Sequence, residues 1–340
     1  MSNVENKNIG FGKRVMNSLR GFYANFNTGQ TRAGGKRQWV NYVFLLSFFI
    51  LLFIAASLSD VFFSYANISN LLRQIVTNGI ISLGMLVVIL TGGIDLSVGS
   101  VVALASILVS GMIQNVGLSI PVAILIALAA GALAGGVNGF VISRFKLQPF
   151  IVTLATLGAI RGLVYVYSQT PITPQNPAFR EVFGTPILGP FTLSILIMFI
   201  AFLVAGFFVN RTTSGRAIMA IGGNEEAVRL AGINVGGNIT LAYIISGTCA
   251  ALAGILLASR LGISQPSLGG GFELDAIAAC VIGGAILGGG GGSVLGTLGG
   301  VVTLGLIDNL LNLFNVQSYY QQIFKGLIIL FAVLARRKEK

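Results

Sequence analysis

Long apolar runs alternate with short polar connections along most of this 340-residue chain. Each run has roughly 18 residues or more and few charges, which is the length that an α-helix needs to cross the hydrocarbon core of a bilayer. The pattern predicts ten membrane-spanning helices, at about 40–59, 72–91, 97–114, 118–142, 150–168, 190–210, 240–260, 273–289, 293–312 and 318–335. The connection Ser168–Pro190 contains five prolines and predicts an ordered loop without long helices.

The composition agrees with a membrane protein. Hydrophobic residues make up 54% of the chain and charged residues only 9%, and the mean hydropathy is +0.88. A soluble domain normally carries about a quarter charged residues. A large soluble α/β protein would contain buried strands, but strands do not need runs of this length. We therefore predict an all-α, polytopic membrane protein.

The net charge of +11 is distributed unevenly. Seven of the 21 basic residues lie in the first 37 positions and four lie in the last five, and Arg161 and Lys325 fall within predicted spans. One set of connections holds five basic residues: Arg144, Lys146, Arg211, Arg216 and Arg229. The other set holds three: Arg73, Arg180 and Arg260. Because basic residues collect on the cytoplasmic side, we predict that both termini are cytoplasmic, which requires an even number of spans.

The domain organisation follows from this distribution. Residues 1–38 form a basic cytoplasmic tail, and residues 39–337 form the transmembrane domain. The positive charge has no accompanying aromatic-rich basic face, so nucleic acid is not an expected partner.

Enzymatic chemistry is not expected from this composition. The chain has no histidine, which removes the commonest proton relay and metal ligand. It also lacks a metal-ligand cluster and a nucleophile–base pair, so neither a metal nor a cofactor is predicted. The run Gly288–Gly292 resembles a phosphate loop only superficially, because no Lys-Ser or Lys-Thr follows it. We interpret this run as a flexible hairpin turn between two spans.

A weak internal repeat links two glycine- and alanine-rich segments. Leu133–Pro149 and Leu252–Pro266 share L-A-G, then S-R, then Q-P, once small gaps are allowed. The predicted topology places their ends on opposite sides of the membrane, so the repeat would be inverted, as in many transporters. A chance match between two helices of similar composition explains the likeness equally well.

A glycine-rich break carries a lone carboxylate between the second and third predicted spans. The segment "LTGGIDLSVGS" contains Gly92, Gly93, Asp95, Ser97 and Gly99. A carboxylate at the bilayer centre costs at least about 2.5–3.5 kcal/mol, so it needs water, a partner or free backbone N–H groups. One interpretation is that Asp95 and Ser97 cap the first turn of the third span. The other is that Asp95 lines a path for a polar solute.

The longest polar segment between spans is residues 211–239. Within it, "GGNEEAVRLAGINV" predicts a short helix that Asn224 caps, that carries two glutamates in its first turn, and that Gly232 ends. About eight residues are too few for a stable isolated helix in water, so another surface must hold it. That surface is either the membrane domain of this chain or a separate cytoplasmic protein.

Four motifs, in order, closely resemble the bacterial ribose-type sugar permeases. They are "LTGGIDLSVGS", "GGNEEAVRLAGINV", "ELDAIAACVIGGAILGGGGG" and "SYYQQIFKGLIILFAVL", and the likeness runs from about residue 40 to 337. These permeases are the membrane subunits of ABC importers for monosaccharides. The resemblance implies a multi-pass subunit of the bacterial inner membrane, paired with a second permease copy or a related permease. It also implies cytoplasmic ABC ATPase subunits and a periplasmic sugar-binding protein as partners.

The resemblance also implies roles for particular residues. The short polar helix matches the position of the helix that couples the permease to the ATPase, with these residues: Asn224, Glu225, Glu226, Ala227, Arg229, Leu230 and Gly232. A departure is the run Gly288–Gly292, where related proteins often have a basic residue, and this puts a role for a charge there in doubt.

A sugar path needs scattered hydrogen-bonding groups and aromatic faces. The polar or aromatic span residues that we expect to contribute are Asn78, Gln148, Phe150, Asn309 and Asn312. Ribose or another pentose is the expected sugar, and hexoses stay open. An alternative function is a stand-alone, ion-coupled secondary transporter, for which only Asp95 and Asp308 offer intramembrane carboxylates.

Overall fold

The structure is a computed structural model that describes Phe53 and residues 61–336. Contacts divide the chain between Ile54 and Ala55 into two units, and the fold described below belongs to the second. The predicted basic tail (1–38), the predicted first span (40–59) and the basic residues after position 336 lie outside the described residues.

Helices make up most of the second unit. In chain order the elements are α1 (Tyr65–Leu90), α2 (Val98–Gln114), α3 (Ile120–Phe145), α4 (Pro149–Tyr167), α5 (Pro177–Gly184), β1 (Pro186–Leu188), β2 (Phe191–Thr192), α6 (Leu193–Arg211), α7 (Thr213–Gly223), α8 (Glu225–Leu230), α9 (Val235–Leu261), α10 (Phe272–Ile282), α11 (Val294–Leu313) and α12 (Ser318–Arg336).

Six of the described helices are long and apolar enough to cross a membrane, namely α1, α3, α4, α6, α9 and α11. The apolar helix α2 has 17 residues. These helices confirm a mostly helical, multi-pass membrane chain. The count of ten spans and the cytoplasmic position of both termini stay predictions.

The predicted span 273–289 is wrong at its end. Helix α10 stops at Ile282 after 11 residues, about 16 Å of helix, which is too short to cross a bilayer. Glycines follow, and four of them, Gly284, Gly289, Gly290 and Gly292, have positive φ. Apolar composition alone predicted a longer span, but this left-handed backbone cannot continue a right-handed helix.

Small residues hold the centre of the bundle together. Helices α3 and α9 pack antiparallel, with Gly131, Gly135 and Gly139 facing α9. A Cβ at Gly135 would overlap the carbonyl oxygen of Tyr243, and a Cβ at Gly131 would overlap that of Gly247. This spacing of small residues brings the two backbones into direct contact, as is common between membrane helices.

The two ends of the bundle differ in structure. At the end that we call the α8 end lie α7, α8 and the start of α9. At the opposite end, the α5 end, lie α5, the antiparallel β1–β2 hairpin and residues 262–271. There Arg161 Nη1 donates hydrogen bonds to the carbonyl oxygens of Pro266 (2.5 Å) and Leu268 (2.8 Å), which fixes that loop to α4.

Candidate functional site

The break between α1 and α2 carries Asp95, whose side chain is only 1% exposed. Its Oδ1 accepts hydrogen bonds from the backbone N–H of Ser97 (3.0 Å) and from the Ser97 hydroxyl (2.6 Å). Its Oδ2 accepts one from the hydroxyl of Ser246 on α9 (2.8 Å). These three donors replace the water that a buried carboxylate loses.

Further polar groups from α3, α4 and α9 surround this carboxylate. Asn138 Nδ2 donates to the Ser97 hydroxyl at 2.9 Å, and the Thr153 hydroxyl donates to the carbonyl of Ile94 at 3.2 Å. The Tyr243 hydroxyl is buried without a hydrogen-bond partner among the described residues. The sequence hypothesis missed Asn138, Tyr243 and Ser246, and the only available signal was a polar residue inside an apolar run.

The predicted capping geometry at this break is wrong in detail. Ser97 is the N-cap residue of α2, but its side chain makes no capping hydrogen bond. Asp95 instead binds Ser97 itself, two residues along, and so orders the turn that leads into the helix. The turn needs Gly92, which has φ +86°, and Gly99, where a Cβ would overlap the carbonyl oxygen of Gly269. The burial and complete pairing of Asp95 favour a structural role over an open polar path.

Helix α8 is a six-residue helix, shorter than the predicted one but capped as predicted. The Asn224 side chain accepts a hydrogen bond from the N–H of Ala227 at 3.0 Å. Gly232, with φ +78°, follows the helix end. Glu226 and Arg229 form an exposed ion pair at 2.5 Å, and the hydrogen bond from Arg229 lowers the pKa of Glu226.

The contacts of α8 leave most of its surface free. Val228, 6% exposed, is the one buried residue of the helix. Leu230 is 79% exposed, and Glu225, Ala227 and Ala231 are also exposed. A single buried side chain holds this helix weakly, and most of its surface, including Leu230, is open to contact with another surface.

Three backbone segments meet beside α8 without intervening side chains. They are the end of α1 at Leu90–Gly92, the end of α7 at Gly222–Gly223, and Gly288–Gly290; we call this contact the glycine junction. The N–H of Gly290 donates to the carbonyl of Leu90 at 3.0 Å. A Cβ at Gly222 would overlap both groups, and a Cβ at Gly289 would lie 2.6 Å from the Gly222 Cα.

The glycine junction corrects the interpretation of Gly288–Gly292 as a merely flexible turn. The run does connect α10 with α11, but part of its backbone is packed against two other segments. The absence of side chains permits this close approach, which any residue with a Cβ at Gly289 or Gly290 would prevent.

The five predicted sugar-path residues do not form one group. Gln148 and Phe150 are exposed at the start of α4, whereas Asn78 lies within α1 and is half-buried. Asn309 exchanges two hydrogen bonds with Asn67 (2.8 and 3.1 Å). Asn312 accepts one from Gln321 at 2.9 Å. Among the described residues, the hydrogen bonds of Asn309 and Asn312 tie helices together and do not point to a shared path.

A second carboxylate within the spans is paired with a cation. Lys325 of α12 lies 2.9 Å from Asp275 of α10 and 3.0 Å from Asp308 of α11. This arrangement joins three helices and partly neutralises two acidic groups inside the bundle. Within residues 61–336, no group of three or more potential ligand side chains is placed to hold a metal ion.

Comparisons with known proteins identify relatives along nearly the whole chain. Residues 67–333 match the family described as "Branched-chain amino acid transport system / permease component". The ribose import permease protein of Bacillus subtilis (strain 168) is 45% identical over 296 residues, which are 86% of this chain and 92% of that protein. The L-arabinose transport system permease protein of Escherichia coli (strain K12) is 38% identical over 311 residues, covering 88% and 92%. The galactose/methyl galactoside import permease protein of the same strain is 38% identical over 310 residues, covering 86% and 91%. No solved structure matches the chain.

Proposed function

Because the chain belongs to the family of transport-system permease components that matches residues 67–333, we propose that it is the membrane-spanning subunit of a sugar importer. It moves a monosaccharide from a periplasmic binding protein into the cytoplasm, and a separate ABC ATPase supplies the energy. It works in the bacterial inner membrane. The observation that carries this proposal is the 45% identity to a ribose import permease over 92% of that protein.

Ribose is the first sugar to test. Relatives named for ribose are 42–45% identical to the chain, and those named for arabinose and galactose are 38% identical. All of these sugars are neutral and rich in hydroxyl groups, so a path for them needs hydrogen-bonding groups and no net charge. Selectivity among them belongs chiefly to the binding protein that delivers the sugar.

Helix α8 is the docking element for the ATPase. Its cap, its single buried side chain and its exposed Leu230 suit a short rigid helix that a cleft on another protein completes. Two ATPase subunits beneath two copies of this permease, or beneath this chain and a related permease, form the complete importer. Lipid surrounds the apolar outer faces of α3, α4 and α6, in each of which only 22% of the most apolar stretch is buried.

The glycine junction connects this docking element with the break that holds Asp95. A push on α8 reaches Gly222, two residues before the cap Asn224, and from there the backbone of Leu90 and Gly92. Asp95 follows three residues later. Direct backbone contact transmits a displacement without side chains that can change rotamer and absorb it.

The alternative of an ion-coupled transporter has little structural support. Asp308 is paired with Lys325, and three hydrogen bonds satisfy Asp95. Asp95 therefore lacks the free coordination that a coupling ion or proton would use. Lys325 compensates the charge of Asp308 through Oδ2, whereas Oδ1 of Asp308 is buried without a hydrogen-bond partner in the described part of the chain.

The test is sugar uptake into vesicles that contain the permease, its ATPase and its binding protein. We expect labelled ribose to accumulate in the vesicles only when ATP is supplied on the side of the membrane that carries the ATPase. An ion gradient without ATP should not drive accumulation. Leu230→Asp places a charge on the docking face, so uptake should fall at least about tenfold and the ATPase should co-purify poorly. Leu230→Met, which keeps apolar volume, is the matched control and should retain uptake.

Two results would contradict this proposal separately. Uptake driven by an ion gradient without the ATPase would support the secondary transporter instead. Normal uptake and normal ATPase co-purification with Leu230→Asp would leave the importer function intact and remove α8 as its docking element.

A further inference from the structure

A cavity of about 340 Å³ lies at the α5 end of the bundle, bordered by α1, α5, α6 and the end of α9. Three arginines line it: Arg73, Arg180 and Arg260. These are the three basic residues that the charge pattern assigns to the outer connections. Basic residues are normally scarce on the outer side of a membrane protein. Three of them around one cavity at that end therefore call for a local explanation.

Two of the three arginine side chains contact the backbone. Arg260 Nη1 donates to the carbonyl oxygen of Arg73 at 3.2 Å. The guanidinium of Arg180 packs against Gly262, which ends α9 with φ +66°. Three positive charges therefore lie near the last turn of α9, those of Arg180 and Arg260 exposed to solvent and that of Arg73 half-buried.

No acidic group in the described residues forms an ion pair with any of these arginines. The ion pairs there join Arg229 with Glu226, and Lys325 with Asp275 and Asp308, and none involves a cavity arginine. Glu181 lines the cavity but is not within ion-pair distance of any of the three. The Glu181 carboxylate and the partial negative charge at the C-terminus of α9 together balance about one and a half of the three positive charges. About one and a half positive charges are left over.

Hydrogen-bond donors in the cavity are also left without acceptors. Thr192, 1% exposed, lines the cavity, and its Oγ1 has no partner in the described part of the chain. Arg73 Nε is likewise buried and unpaired. Buried donors normally have a partner, and each one left unpaired costs roughly 1–3 kcal/mol. Both observations indicate that the cavity binds a ligand that accepts hydrogen bonds.

We propose that this cavity binds a phosphate group, either inorganic phosphate or the headgroup phosphate of an anionic phospholipid. Inorganic phosphate carries about −1.5 to −2 charges near neutral pH, and the headgroup phosphate of a phospholipid, which is a diester, carries about −1; both offer several acceptor oxygens. This matches the surplus charge and several donors, whereas one carboxylate would engage a single guanidinium fork. Val76, Phe183 and Leu256 in the same lining give an apolar border, which suits a lipid next to its headgroup.

The experiment measures phosphate binding to the purified permease–ATPase complex by calorimetry, at constant ionic strength set with chloride. We expect saturable binding that weakens about tenfold in Arg180→Gln and in Arg260→Gln, since each removes a charged fork. Thr192→Val should weaken it several-fold without changing charge. Arg211→Gln, an exposed arginine at the α8 end, is the matched control and should bind as the wild type does.

A second arm distinguishes the two sources of phosphate. The complex is placed in nanodiscs of phosphatidylcholine, with or without phosphatidylglycerol, and bound lipid is measured by native mass spectrometry. Retained phosphatidylglycerol that Arg180→Gln releases indicates the lipid headgroup, and calorimetric binding in phosphatidylcholine alone indicates the free ion. The proposal is overturned if the variants change neither readout, or if they change only the affinity for the periplasmic binding protein, which would make the arginines a docking surface for acidic side chains.

Discussion

Single polar residues in this bundle act by pairing with one another across helices. Asp95, Ser97, Asn138 and Ser246 come from the α1–α2 break, α3 and α9, and all are essentially buried. Their hydrogen bonds join elements that apolar contact alone would leave free to slide. Asp95 therefore stabilises the fold by accepting hydrogen bonds from donors that the surrounding helices hold in fixed positions.

Asp95→Leu should reduce the amount of folded permease. The substitution leaves the Ser97 N–H and two serine hydroxyls without their acceptor, at about 1–3 kcal/mol for each unsatisfied group. Asp95→Asn keeps one acceptor oxygen, and a serine hydroxyl can rotate to accept from the new amide. We expect Asp95→Asn to retain most of the folded protein and most of the sugar uptake.

Size-exclusion chromatography with a fluorescent tag measures the folded fraction, and vesicle uptake measures function. Folded but inactive Asp95→Asn would show that the negative charge itself is needed, contrary to the structural role.

The residue patterns predicted which positions stand out but not their partners. The break motif identified Asp95 from its insertion cost alone. Asn138 and Ser246 lie 43 and 151 positions away, and only the packing of α3 against α9 brings them to Asp95. For the same reason Asn309 seemed suited to a sugar path, although it pairs with Asn67.

Three helices, α1, α7 and α10, end near a glycine at which another backbone comes close. Most boundaries of the long helices followed from apolar runs, because a span must satisfy its backbone internally over a fixed thickness. The starts of α1 and α9 were predicted too late, at 72 and 240 instead of Tyr65 and Val235. The end of α10 did not follow from the apolar run, because the apolar composition continues while the backbone leaves the helix at Gly283. The contact that this makes possible, the glycine junction, depends on tertiary packing that no local pattern encodes.

Gly222→Ala should disturb the glycine junction, and Gly223→Ala should not. A Cβ at Gly222 would overlap the Leu90 carbonyl oxygen and the Gly290 N–H, but nothing lies within 4 Å of a Cβ at Gly223. We expect Gly222→Ala to destabilise the folded permease by about 1–3 kcal/mol through overpacking. Sugar uptake should fall several-fold, while the ATPase should still co-purify with the permease.

Stimulation of the ATPase by sugar-loaded binding protein is the decisive measurement, because it reports transmission and not docking. Equal stimulation in the two variants would remove the glycine junction from the coupling route. Gly288→Ala is a further control, because nothing lies within 4 Å of a Cβ there.

The distribution of charge along the whole chain predicts its orientation in the membrane. Arg144, Arg211 and Arg229 belong to connections at the α8 end, and the α5 end holds Arg73, Arg180 and Arg260. Long helices run between these two ends, as the pattern of apolar runs predicted. The sequence could not show that the basic residues of the α5 end surround one cavity.

A reporter fused after Lys340 should be cytoplasmic, and one inserted at Asn176 should be periplasmic. Asn176 is exposed and lies just before α5, so an insertion there leaves the spans intact. Phosphatase and fluorescent-protein fusions provide complementary readouts of the two sides. Reporters that both indicate the same side would mean that the ten-span count is wrong by an odd number.

The glycine junction contains only backbone groups of Leu90 and glycines, so neither pH nor salt acts on it directly. It has no charge for counterions to screen and no group that titrates near neutral pH. The docking face that we propose on α8, in contrast, carries Glu225, Glu226 and Arg229 exposed to solvent. Salt should therefore weaken the association of permease with ATPase, and once the two are joined, transmission into the membrane should proceed equally well in dilute and concentrated electrolyte.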